Sequence, residues 1–340
     1  MSRANPQQPH RELADVLRMG TRLPFPSGRR NLGRPDPAGD DARSSENTPP
    51  RTAFVLSGGG NQGVSQVGML RALLERGIRP DVVVGTSAGA LNGAAVAYAP
   101  NLTGVAQLAA VWEQLRAEHV FPGGKIQRAW QVVKRGTHLF DHTGLAALIH
   151  HSSPARSFSD LQIPLRVIAA DLDTGEEVVL LRGPLKPALL ASAALPGVFP
   201  IVNHDGRRLV DGGVVNSVPL WHALSGPVDR VFVLNVSGAP ADKIERSPLD
   251  VVMTSFMHAR NQRFELELRH APPNVEIFVL PRPRDTRDLF DFSGARELID
   301  QAYDLASDAL DERERGIVQP QVEPLPEHRK RFRIKLGKSA

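Results

Sequence analysis

Two glycine-rich turns constrain this chain more than any other feature. Each follows a short apolar run and precedes a stretch with helical spacing. Thr52 to Ser57 is one such run, ending at Gly58-Gly59-Gly60. Val64, Val67, Leu70 and Leu74 then recur on one helical face until Gly77. Val82-Val83-Val84 leads into Gly85-Thr86-Ser87-Ala88-Gly89, and Ala88 to Tyr98 reads as a small-residue helix closed by Pro100. Runs that are apolar throughout, without alternation, belong to strands buried on both faces. The order strand, helix, strand, helix predicts an α/β fold with a mainly parallel central sheet and helices on its faces.

The same reading continues along the chain. Residues 103–150 read as mostly helical, with Val105, Leu108, Val111, Trp112 and Leu115 on one face. Strands are expected at Leu165 to Ala170, Glu177 to Leu181, Leu209-Val210, Val231 to Val236 and Val275 to Leu280. Helices are expected at Val251 to Leu268 and Ala295 to Leu310. No repeat and no linker interrupts residues 51–311, which are read as one domain.

Gly85-Thr86-Ser87-Ala88-Gly89 fits G-x-S-x-G. In that pattern a serine sits on a sharp, strained strand-to-helix turn, its oxygen standing clear of the sheet, and small neighbours let the turn close. The helix start beneath it favours developing negative charge. About one chain in ten of this length would carry the pattern by accident, so its context matters: a buried strand directly before it and a helix directly after.

Gly58-Gly59-Gly60-Asn61-Gln62-Gly63 joins the first strand to the first helix. Backbone N–H groups in such a loop converge on an anion. They suit an oxyanion hole. Gly58, Gly60 and Gly63 also satisfy G-x-G-x-x-G, a dinucleotide fingerprint. That second reading needs an acid closing the second strand. Asp81 precedes Val82-Val83-Val84 instead of following it, and the strand delivers Ser87.

A serine needs a base. Of eleven histidines, none lies in an evident triad context; His150-His151 and His138-x-x-x-His142 read as surface or core residues. No H-E-x-x-H and no aspartate cluster has metal spacing, so neither metal nor cofactor is expected. Asp211-Gly212-Gly213 ends a strand on a tight turn, which fits a site residue and equally fits an ordinary Asp-Gly turn.

The glycine loop, the serine elbow and Asp211-Gly212-Gly213 together resemble the patatin-like phospholipase family in order and spacing. Ala170-Asp171-Leu172-Asp173-Thr174-Gly175 and Ala191-Ser192-Ala193-Ala194-Leu195-Pro196-Gly197-Val198-Phe199-Pro200 agree with it. The resemblance covers roughly residues 53–236, with a weaker echo near Gly294 to Tyr303. It implies a three-layer α/β/α fold and a serine lipid acyl hydrolase. Ser87 would be nucleophile, Asp211 its base without histidine, and Gly58, Gly59, Gly60 and Ala88 the oxyanion hole. The amides of Gly59, Gly60 and Ala88 would donate, and Gln62, Gly63, Gly85, Gly89, Gly212 and Gly213 would support the motifs. The substrate would be a phospholipid or related ester. The family usually carries Arg or Lys at the loop's fifth position, where this chain has Gln62; that departure bears on head-group preference. Two other classes stay open at this point: a non-catalytic lipid-binding or scaffolding protein on the same fold, and a dinucleotide-binding oxidoreductase.

The positive charge excess lies at the ends. Residues 1–50 are net +2 and residues 327–340 net +5, in a chain of net +4, which leaves the stretch between them at −3. A basic body gripping nucleic acid is not indicated. Residues 1–50 read as a disordered Pro/Arg-rich tail, with Arg11 to Met19 as one short helix, and residues 312–340 as a basic tail. In that tail Arg329-Lys330-Arg331-Phe332-Arg333-Ile334-Lys335-Leu336 interleaves bases with apolar residues, which fits a solvated charge run and equally suits peripheral contact with an anionic membrane. Zero cysteines, no signal-peptide core and no run long enough to span a bilayer give the expectation of a cytoplasmic protein with at most peripheral membrane contact.

Overall fold

A computed structural model describes residues 50–121, 137–237, 248–284 and 291–316. The N-terminal tail, the helix expected at Arg11 to Met19 and the basic segment at 327–340 lie outside the described residues.

The first run forms β1 (Thr52–Leu56), and helix α1 (Val64–Glu75) follows the glycine loop. Next come β2 (Val82–Thr86), α2 (Ala88–Tyr98), α3 (Leu102–Gln114) and the short α4 (Ala117–Val120). Asn101 caps α3, its side chain accepting the Gly104 N–H at 3.0 Å, as a helix start requires. Beyond these are α5 (Thr143–Ser152), β3 (Leu165–Asp171), β4 (Glu177–Leu180) and α6 (Leu185–Ser192). The chain continues through β5 (Val202–His204), β6 (Arg207–Asp211), α7 (Leu220–Leu224) and β7 (Arg230–Leu234). It ends in α8 (Pro248–Arg269), β8 (Glu276–Val279) and α9 (Ala295–Glu314). The expected domain end at 311 therefore falls inside a helix that runs on to Glu314.

The sheet order is β5-β6-β3-β2-β1-β7-β8, with β4 also on β3. Neighbours from β3 to β8 are parallel; β4, β5 and β6 pair antiparallel. Every residue of β1 is buried, and alternate residues enter different cores. Phe54 and Leu56 pack with α1, α2, α3, α5, α6 and α9; Ala53 and Val55 pack with Leu220, Ala223 and Phe264 of α7 and α8. This is the three-layer α/β/α arrangement, with apolar runs unbroken because both faces are covered.

The register at β3 decides where the site lies. Val167 pairs with Gly85 of β2 on one edge and with Leu180 of β4 on the other. Two residues on, Ala169 pairs with Asp211 of β6 while still paired with Val178 of β4. Strands β2 and β6 thus share one edge of β3. Strand β6 arrives from the opposite direction and occupies the place that β2 leaves when it turns away at Ser87.

Candidate active site

Ser87 occupies the turn between β2 and α2 with φ 54° and ψ −124°. A non-glycine residue there carries strain of roughly 1–3 kcal/mol, held only because its surroundings fix it. The surroundings are visible. A side chain at Gly89 would overlap the carbonyl oxygens of Leu56 and Ser57, and one at Gly85 would meet the Gly89 carbonyl. The two glycines of G-x-S-x-G are needed for this close approach of α2 to the strand ends. The turn also places Ser87 at the N-terminal end of α2, where the helix dipole favours negative charge.

Head-on from the other strand comes Asp211, 4% exposed. Ser87 Oγ donates to Asp211 Oδ2 at 2.6 Å, a length typical of a hydroxyl on a carboxylate. The carbonyl-side partner, Oδ1, accepts the Gly213 N–H at 2.7 Å. No imidazole intervenes. A side chain at Gly212 would overlap the Ile168 carbonyl, so this turn too is closed by contact with β3.

The last residue of α6 and the segment after it touch both members of the pair. Ser192 Oγ donates to the Ile168 carbonyl at 2.6 Å and accepts the Ser87 N–H at 2.9 Å. The Asp211 N–H donates to the Ala194 carbonyl at 2.9 Å. Sequence reasoning singled out Ala191 to Pro200 as a block without assigning these contacts.

The glycine loop faces the pair. Gly59, Gly60, Ser87, Ala88 and Asp211 line one cavity of about 120 Å³, whose remaining wall is mostly apolar. Gly58, expected in the oxyanion-hole loop but not as a donor, directs its N–H to the Ser217 carbonyl at 2.9 Å, which leaves the donor role to the other amides named for it. Gly63 contributes its carbonyl, which accepts from Asn92 Nδ2 at 2.8 Å. Asp81 lies at the far end of β1, where its carboxylate accepts the Thr52 N–H at 2.7 Å. It is therefore remote from the glycine loop, where a ribose ligand would have to be.

Beneath the loop runs a buried amide network. Gln66 Nε2 donates to the carbonyls of Ser57 (2.9 Å) and Leu234 (3.1 Å). Asn92 Nδ2 donates to Gln66 Oε1 at 2.8 Å, and Asn92 Oδ1 accepts from Trp112 Nε1 at 2.9 Å. Asn92 and Gln66 therefore grip both ends of the loop and tie it to the helix that carries Ser87. Their signal in the sequence was a lone amide within an otherwise apolar helical stretch.

Gln62 has its own partner: Arg282 Nη1 donates to Gln62 Oε1 at 3.3 Å. The cation absent from position 62 is matched in space by one from the segment after β8.

Behind Asp211 lies an ionic network. Glu177 accepts from His222 Nε2 (2.5 Å), Asn216 Nδ2 (2.9 Å) and Arg263 Nη2 (2.7 Å). Arg263 Nη1 also donates to the Val215 carbonyl at 3.0 Å, and the Asn216 carbonyl accepts from Thr86 Oγ1 at 3.0 Å. Burial opposes ionisation of Glu177, but the hydrogen bond and charge of His222, with Arg263 and Asn216, outweigh it and hold the carboxyl down at about 2.

A family model described as patatin-like phospholipase matches residues 54–224. The chain belongs to the patatin-like phospholipase family. An uncharacterized NTE family protein of Mycobacterium tuberculosis is 30% identical over 277 residues, covering 78% of this chain and 64% of that protein. The chain thus spans somewhat less than two thirds of this relative. Patatin-like phospholipase domain-containing protein 7 of Rattus norvegicus is 32% identical over 186 residues, 54% of this chain and 13% of that one. Among solved structures, human GIVD cytosolic phospholipase A2 aligns with TM-score 0.43 and 12% identity over 93% of this chain and 63% of that one. VipD from Legionella pneumophila aligns with TM-score 0.42 and 15% identity over 78% and 67%. Among the described residues of this patatin-like protein, no helix is long and apolar enough to cross a membrane.

Proposed function

We propose that this protein is a serine acyl hydrolase that cleaves carboxylic esters of phospholipids or related lipids through Ser87 and Asp211. One observation carries the reading: the 2.6 Å bond from Ser87 Oγ to Asp211 Oδ2 at a cavity also lined by Gly59, Gly60 and Ala88. Ser87 Oγ attacks the ester carbonyl carbon as its proton passes to Asp211 Oδ2. The carbonyl π pair moves to oxygen, where the amides of Gly59, Gly60 and Ala88 receive it. Losing one such donor costs roughly 2.7–4 kcal/mol in a comparable hydrolase. Collapse breaks the bond to the alcohol oxygen, which takes the proton from Asp211. Water then attacks the acyl-serine, giving its proton to Asp211; collapse breaks the bond to Ser87 Oγ, which takes that proton back, and the acid leaves.

Mutation tests this directly. Ser87→Ala should lower turnover of a nitrophenyl ester by at least ~10³-fold while leaving the melting transition in place. Asp211→Asn should lose a comparable amount, and the double variant should be little worse than either, because the two act as one unit. Near-wild-type turnover by Ser87→Ala would remove the assignment.

A further inference from the structure

The cavity at Ser87 is small. Its volume of about 120 Å³ compares with the roughly 150 Å³ that takes up one benzene, and with about 300–1,000 Å³ for usual small-molecule sites. Directly beside it lies an open surface cleft of about 540 Å³ with Arg116, Arg296 and Glu113 on its walls. Phe292 lines both spaces.

That ring is held from several sides. It stacks on Trp112 with centroids 6.4 Å apart and planes at 21°, and it leans on Phe121 at 6.2 Å. Phe121 in turn stacks on Phe199 at 5.5 Å. The backbone beside it is pinned as well. Asn61 Nδ2, from the glycine loop, donates to the Asp291 carbonyl at 2.7 Å. Asp291 Oδ1 accepts from Ser293 N at 2.9 Å and Ser293 Oγ at 2.7 Å. The partition between cavity and cleft is therefore a packed aromatic side chain on a hydrogen-bonded turn, fastened to the loop that faces Ser87.

We infer that the acyl site of this protein takes short chains of a few carbons, and that Phe292 sets the limit by closing the cavity against the cleft. The inference rests on the proposed acyl hydrolase reading and narrows its substrate: the acyl part is short, while the alcohol part lies outside the cavity and is not restricted by it. Phe292 is a specificity-determining residue in this account, with no part in the bond changes.

The test uses the full chain and nitrophenyl acetate, butyrate and octanoate, with kcat/KM measured for each. One methylene in a tight apolar pocket changes kcat/KM by roughly 10–200-fold. The wild type should favour butyrate over octanoate by at least ~10-fold. Phe292→Ala should raise the octanoate-to-butyrate ratio by at least ~10-fold, and Phe292→Trp should lower the butyrate-to-acetate ratio by a similar factor. Covalent labelling of Ser87 by a small fluorophosphonate reports whether each variant keeps a competent site. If Phe292→Ala does not fold, the wild-type profile and Phe292→Trp decide. A wild type that prefers octanoate, or folded and labelled variants with unchanged ratios, would overturn the chain-length assignment alone. A wild type that hydrolyses none of the three esters would overturn the acyl hydrolase reading and this inference with it.

Discussion

The two polar networks beside the site are built from different chemistry. Under the glycine loop, Gln66 and Asn92 are 0% exposed and Trp112 6%, and every bond among them is between neutral groups. Behind Asp211, Glu177, His222 and Arg263 have side chains 15%, 23% and 39% exposed, and the network centres on a carboxylate paired with Arg263. The first network fixes the loop that lines the cavity beside Ser87. The second fixes residues 215 and 216, which follow the Asp211 turn. A neutral network shielded from water contributes the same stability at any pH, and a broken member leaves buried groups unsatisfied. A partly exposed ionic network is screened, and its contribution follows protonation. Ser87 and its loop should therefore be held more firmly, and less conditionally, than the segment behind Asp211.

The largest effect expected from this contrast is on Asn92. Asn92→Ala leaves the Gly63 carbonyl, Gln66 Oε1 and Trp112 Nε1 without their partner. Each buried orphan costs roughly 1–3 kcal/mol, so denaturant melts should show a loss of about 3 kcal/mol or more. The loss should be equal at pH 5 and pH 8, because no group in the network titrates there. A loss that changes with pH would break the distinction.

Glu177→Gln should cost less, about 1 kcal/mol near pH 7 once solvent screening is allowed for. Its pH dependence is the sharper signature. The folded-state carboxyl titrates at about 2, against 4.5 ordinarily. A carboxyl with a lowered value adds stability above its unfolded pKa and loses it as pH falls through the folded one. Wild type and Glu177→Gln should therefore differ fully above about pH 5 and converge by about pH 2. A constant difference across that window would show that charge is not what holds the segment.

Deleting the basic C-terminal segment is expected to leave the folded body unaffected. We expect deletion of residues 327–340 to weaken binding to anionic vesicles, at about 1 kcal/mol for each base near the surface. Hydrolysis of soluble esters should be spared, and added salt should weaken vesicle binding of the intact protein likewise. Unchanged binding after the deletion would leave the segment without a membrane role.

Much of this was legible in the sequence because the site is assembled at strand ends, where glycines are forced by backbone contact. Gly85 and Gly89 stand out for the same reason that they are needed. The Asp211 turn was legible only as an ordinary turn until joined to the other motifs, since its place is set by the pairing of β6 with β3 across long sequence separation. The short β5, the helix α6 and the short α7 were not anticipated, their runs being too brief for periodicity to mark. Gly58 shows a limit of motif reading: it belongs to the glycine run, yet its N–H is directed at Ser217. Glu177, Arg263 and Arg282 carried no local signal, because each acts on a residue 39 or more positions away.

The central claim is that Ser87 is activated by Asp211 without a histidine. The most direct test is the rate and site of covalent labelling by a small fluorophosphonate, read by mass spectrometry on wild type and on Asp211→Asn. The account predicts a single adduct on Ser87 in the wild type and labelling slowed at least ~10²-fold in Asp211→Asn, the usual share of a general base. An adduct on another residue, or labelling of Asp211→Asn at the wild-type rate, would contradict it.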